Sequence, residues 1–169
     1  MLMLALIAVL ASTAVSGCLM VANKEYLFRV RPDGSGQGRI TFENISSVQE
    51  NEAEQDQAIK DYTQLLNEYL KGRKFEGENP AYQNVKKRLY EQDGKLYGEV
   101  TFDFLTYEDV GLFRLNGAGP WMYHTGALNG ASIEQLDTSN GTYGGAHMPV
   151  VFWNEATTEF RVYTKVEEP

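Results

Sequence analysis

Five Asp-Gly or Asn-Gly dipeptides punctuate the chain: Asp33-Gly34, Asp93-Gly94, Asn116-Gly117, Asn129-Gly130 and Asn140-Gly141. Such pairs accept positive φ and close hairpins wherever alternating residues flank them. Around the first, Tyr26, Phe28 and Val30 alternate with Leu27, Arg29 and Arg31, and Ile40 and Phe42 alternate with Arg39, Thr41 and Glu43. That pattern is a hairpin with one buried face. Around the second, residues 85–91 turn into 96–104, where Leu96, Gly98, Val100, Phe102 and Phe104 share a face. Residues 133–137, 149–153 and 160–166 read as further strands, and 107–113 as a short helical turn.

One stretch breaks the two-residue period. Between 48 and 71, Ala58, Ile59, Tyr62, Leu65, Leu66, Tyr69 and Leu70 recur at three- and four-residue steps. This predicts one amphipathic helix, with Ser46 or Ser47 as its N-cap and Gly72 beyond its end. Residues 73–83, with Gly77 and Pro80, read as a loop. The expected fold is therefore α+β: an antiparallel, hairpin-rich sheet of about seven strands with one helix packed on it.

Charge narrows the function. The 169 residues carry 15 Lys plus Arg against 23 Asp plus Glu, a net −8 with no basic cluster, so no nucleic-acid partner is expected. A single cysteine excludes an intramolecular disulfide, a Cys-based zinc site and an iron–sulfur cluster. No charged side chain precedes Lys24. Residues 1–11 form an apolar run of signal-peptide length, followed by small residues up to Gly17.

Val15-Ser16-Gly17-Cys18 resembles the lipobox of bacterial lipoproteins, although no Lys or Arg precedes the apolar run. The resemblance implies a signal peptide over 1–17, cleavage after Gly17 and acylation of Cys18, so that membrane lipid is a partner through the acyl anchor. It leaves 18–24 as the lipidated cysteine and a short tether, and 25–169 as a single domain. Leu19 stands where an inner-membrane retention signal carries aspartate, so the implied address in a Gram-negative host is the outer membrane. Beyond the signal, the domain is similar only to bacterial lipoproteins without an assigned activity. That implies a cell-envelope binding or assembly module with an envelope protein as its partner.

Residues 111–145 hold eight of the sixteen glycines. With the aromatics around them, they suggest a ligand or partner groove lined by Trp121, Tyr123, His124, Tyr143, His147 and Trp153. An apolar or saccharide ligand held by the loops over 117–148 is one alternative reading. The competing reading of Trp121 and Trp153 is core packing. A hydrolase using His124 and His147 with a carboxylate is a further alternative. Two histidines with Glu134 or Asp137 match a metal triad by type, but no HxH or HExxH spacing supports one. Residues 33–38 imitate the start of an EF-hand loop, yet Asn44 occupies the position of its bidentate glutamate. No metal, no cofactor and no catalytic residue is expected.

Overall fold

The computed structural model describes residues 19–47, 55–125 and 133–167. The expected signal segment, Cys18, the first residues of the expected helix and Asn129-Gly130 lie outside them. Among the described residues the chain forms ten strands and is α+β, but in two antiparallel sheets. The larger has six strands where about seven were expected in one sheet; short strands of the second sheet account for the difference.

Strands β1 (Leu19–Val30) and β2 (Gly36–Ser47) form the expected first hairpin, and β3 (Gln83–Gln92) and β4 (Lys95–Phe104) the second. With β7 (Ile133–Ser139) and β10 (Glu159–Glu167) they build the large sheet in the order β3-β4-β2-β1-β10-β7. At the first turn, Ser35 donates to the Asp33 carboxylate from its N–H (3.1 Å) and its Oγ (2.7 Å). These bonds hold the Asp33 carboxyl below its usual range, and residues 31–35 form the hairpin tip. At the second turn both Asp93 (φ 52°) and Gly94 (φ 72°) take the left-handed conformation that a two-residue hairpin needs.

β1 begins at Leu19, so residues 19–24 are strand where a tether was expected. Ser46 and Ser47 are likewise the end of β2 rather than a helix cap. Ser47 still reaches the helix, because its Oγ donates at 2.6 Å to Asp61, which is 1% exposed and also accepts from Gln57 at 2.7 Å.

The helix runs as α1 (Gln55–Gln64) and continues as a π-helical segment, Leu65–Leu70. The expected loop contains a short helix, α2 (Lys74–Glu78), whose Phe75 is buried against Tyr82. The apolar stripe is only partly inward. Ala58 is buried, whereas Ile59 and Leu66 are 65% and 41% exposed. Leu66→Ala should therefore change the free energy of urea unfolding by no more than about 0.5 kcal/mol, as surface substitutions do. A loss above about 2 kcal/mol would place Leu66 in a packed core.

β5 (Leu112–Phe113), β6 (Trp121–His124), β8 (Thr142–Tyr143) and β9 (Val150–Trp153) form the small sheet in the order β5-β6-β9-β8. It packs on the inner face of the large sheet. The Phe160 ring of β10 is fully buried between Trp121 (5.1 Å) and Trp153 (5.3 Å), both at edge-on angles. The expected turn at 107–113 is a 3-10 turn over Tyr107–Val110 followed by β5.

Asn140-Gly141 does not close a hairpin. It carries the chain from β7 in one sheet to β8 in the other. Asn140 secures that crossing: its Oδ1 accepts from Trp153 Nε1 (2.8 Å) and Arg161 N (2.9 Å).

The outer face of the large sheet is a lattice of ion pairs, including Arg39–Glu25, Arg29–Glu159 and Arg88–Glu99. Leu27, 5% exposed, is flanked in register by Arg39 and Arg161, whose aliphatic stems can shield it. The inner face is where the fold leaves room.

Candidate functional site

A cavity of about 1010 Å³ separates the inner face of the large sheet from the helix. Its walls come from β1, β2, β4, the π-helical segment, α2 and the end of β6. The helix stripe faces the sheet across this space rather than touching it along its length. Leu65, Tyr69 and Leu70 all border the cavity, and no residue of Leu65–Leu70 is buried. A widened helical turn at such a place is a feature that π-helical segments commonly bring to functional sites.

Two irregularities bend the sheet around the space. Asn44 (φ 55°) sits in a bulge of β2 between Phe42 and Ile45, and Asn84 (φ 50°) in a bulge of β3 between Gln83 and Lys86. A bulge adds one residue to a strand, bends it and increases its twist. Beyond the β2 bulge, Ile45 pairs with Val21 of β1, and both border the cavity.

The walls are mainly apolar, with polar groups set into them, among them Lys87, paired with Glu76, and a cluster around Glu134. Lys24 of β1 donates to Glu134 of β7 in an ion pair. Tyr26 donates to both oxygens of the same carboxylate, at 2.9 and 3.1 Å, and Thr164 Oγ1 lies 3.3 Å from Oε2. Glu134 is only 9% exposed, so the pair is largely removed from water. The cluster compensates itself: a buried charge is tolerated when it is paired and its lone pairs are met. The Lys24 ammonium, 20% exposed, also stands 5.9 Å from the centre of the Phe42 ring.

Burial pushes the Tyr26 hydroxyl well above the usual tyrosine range, and the Glu134 charge adds to the shift. Burial raises Tyr123 in the same way, with Glu134 again contributing. Both phenols are thus held neutral in the fold while the unfolded chain ionises them near 10.0. A group whose folded value is raised favours the folded state fully below its unfolded value. That advantage is lost as pH climbs from there toward the folded value. Stability should fall steadily above pH 10, and tyrosinate absorbance should appear together with loss of the circular-dichroism signal. Full tyrosinate absorbance in a still-folded chain would contradict this.

The six residues singled out from sequence separate into three groups. Trp121 and Trp153 are 5% exposed and belong to the core between the sheets. Trp121 also stacks edge-on with Tyr107 at 5.0 Å and lies under Arg114 at 4.4 Å. Tyr123 and His124 border the cavity. Tyr143 on β8 and His147 in the connection after it are exposed and stand apart from the cavity. The loops over 117–148 thus do not make one groove among the described residues, and residues 126–132 lie outside them.

Lys24, Tyr26 and Glu134 were not expected as a site, although a signal existed. Lys24 has the same parity as the inward Tyr26, Phe28 and Val30, and Glu134 the same parity as Leu136, which packs on the core. A charge in register with a buried face marks a paired or functional group. Among the described residues no group of three or more His, Cys, Asp or Glu is arranged to hold a metal ion. No helix among them is long and apolar enough to cross a membrane. No protein-family model, curated protein or solved structure matches the chain.

Proposed function

We propose that this chain is a lipid-anchored, non-catalytic binding module of the bacterial cell envelope, and that its ligand occupies the cavity between the large sheet and the helix. The observation that carries this reading is the cavity itself. Ligand pockets run to roughly 300–1,000 Å³, with mainly apolar walls and a few convergent polar groups. The volume of about 1010 Å³, the mainly apolar walls and the Lys24–Tyr26–Glu134 cluster match that description.

A neutral fluorescent apolar dye, N-phenylnaphthylamine, tests it. The dye should bind at one site per chain with a blue-shifted emission. Val21→Trp, which fills the cavity from β1, should weaken binding at least tenfold. Absence of dye binding, or binding indifferent to Val21→Trp, would remove the reading.

The anchor rests on Val15-Ser16-Gly17-Cys18 behind the apolar run. Acylation of Cys18 supplies stable membrane attachment without a basic patch, because two chains hold where one is marginal. Cys18→Ser should leave an uncleaved precursor that takes up no labelled fatty acid, and labelling at the wild-type level would overturn the assignment. Leu19 after the cysteine supports an outer-membrane address in a Gram-negative host, which density-gradient fractionation of the envelope checks.

A further inference from the structure

We propose that the ligand is an uncharged single-chain amphiphile, with its tail along β1 from Lys24 toward Leu19 and an ester- or hydroxyl-bearing head on the Lys24 ammonium. This rests on the reading of the cavity as a ligand site. The shape of the apolar wall argues for the tail. Between the cluster and the start of β1, Leu19 and Val21 border the cavity, with Ile45 across from Val21. Five strand steps at about 3.3 Å each make this strip about 17 Å long, a run that suits an extended acyl chain.

The polar cluster argues for the head. Glu134 already accepts from Lys24, Tyr26 and Thr164, so its carboxylate offers little to a ligand donor. Lys24 is different: an ammonium has three N–H groups, and among the described residues this one borders the cavity with one of them committed, to Glu134. It can donate to an oxygen of a ligand. The charge of Lys24 is, however, already cancelled by Glu134. An anionic head would bring an uncompensated negative charge against a mainly apolar wall, which is unfavourable. Glu78 and Asp109 also border the cavity, as do Lys74 and Lys87, but each of these lysines is already paired with a carboxylate, Glu68 and Glu76, so they offer an anion no unpaired cation. An ester carbonyl or a hydroxyl accepts from Lys24 without that penalty.

Displacement of N-phenylnaphthylamine from the full chain carrying Cys18→Ser, which keeps its own acyl groups out of the measurement, provides the test. Monolauroylglycerol and laurate share a tail and differ in head charge at pH 8. Monolauroylglycerol should displace the dye at concentrations at least tenfold lower than laurate. Replacing the pair by Lys24→Met with Glu134→Leu avoids leaving a lone buried charge. That variant should keep the dye and lose the preference. If the dye binds but laurate displaces it as well as monolauroylglycerol or better, the head-group inference is overturned and the cavity reading stands. A preference that survives in the double variant overturns the role given to Lys24. Failure of the dye to bind the parent chain overturns the cavity reading, and this inference with it.

Discussion

Gly38→Ala should destabilise the chain by about 3 kcal/mol, the upper part of the range for overpacking a filled interior. A Cβ at Gly38 would meet Phe102 Cζ at 2.2 Å and Cε2 at 2.4 Å. Contacts this short are absorbed cheaply only when the neighbour can swing away, and Phe102 cannot. It is 3% exposed, pairs with Gly38 in register, and is stacked on its other side by Tyr82 at 3.7 Å between ring centres. The ring fills the place that a side chain on Gly38 would take. Urea unfolding checks the magnitude, and a Phe102→Leu background should reduce the cost. Gly77→Ala serves as the control: nothing lies within 4 Å of its Cβ, and its place in α2 favours alanine by roughly 0.5–1 kcal/mol. Equal effects at the two glycines would show that Phe102 yields.

The second large effect is expected at the ion pair. Glu134→Ala takes one acceptor from Lys24, Tyr26 and Thr164 together and leaves an ammonium in a mostly apolar wall. Breaking a buried pair on one side costs about 3–5 kcal/mol, whereas replacing both members by apolar residues is often neutral. Lys24→Met with Glu134→Leu should therefore unfold near the wild-type urea midpoint while Glu134→Ala unfolds far below it. A loss under about 1 kcal/mol for Glu134→Ala would mean that water in the cavity hydrates Lys24 and takes over the role of the carboxylate.

Much of the sheet was legible in the sequence because a strand with one wet face writes its fold in a two-residue period. Tyr26, Phe28 and Val30 opposite Ile40 and Phe42 could be read directly, as could Val100, Phe102 and Phe104. The two-residue strands β5 and β8 are too short to carry a period, so the second sheet went unseen. Asn140-Gly141 misled for a different reason. The dipeptide signals positive φ, but here glycine is needed because a Cβ would stand 2.7 Å from the Trp153 ring and from the Phe152 carbonyl oxygen. The helix showed a second limit. An apolar stripe tells which face turns inward, and it cannot tell whether that face meets a neighbour or a space. Leu65, Tyr69 and Leu70 read as core and border the cavity, with Tyr69 alone of the three also packing against the core. The site was partly legible: Lys24 and Glu134 break the apolar parity of their strands, and weighing parity above aromatic content would have pointed to β1 and β7 before β6 and β9.

The early start of β1 has a mechanical consequence. β1 is an interior strand, hydrogen-bonded to β2 on one side from Leu19 onward and to β10 on the other from Asn23 onward. A pull applied at Cys18 along the strand axis would load both ladders in shear, so many bonds would resist at once instead of opening one after another. An anchor attached there would act as a stiff stem: it would set the tilt of the domain against its support and pass an outward tug straight into the middle of the sheet. Pulling from Cys18 in single-molecule force spectroscopy should accordingly need a higher rupture force than pulling from the loop at Gly94, where β3 is an edge strand free to peel from β4.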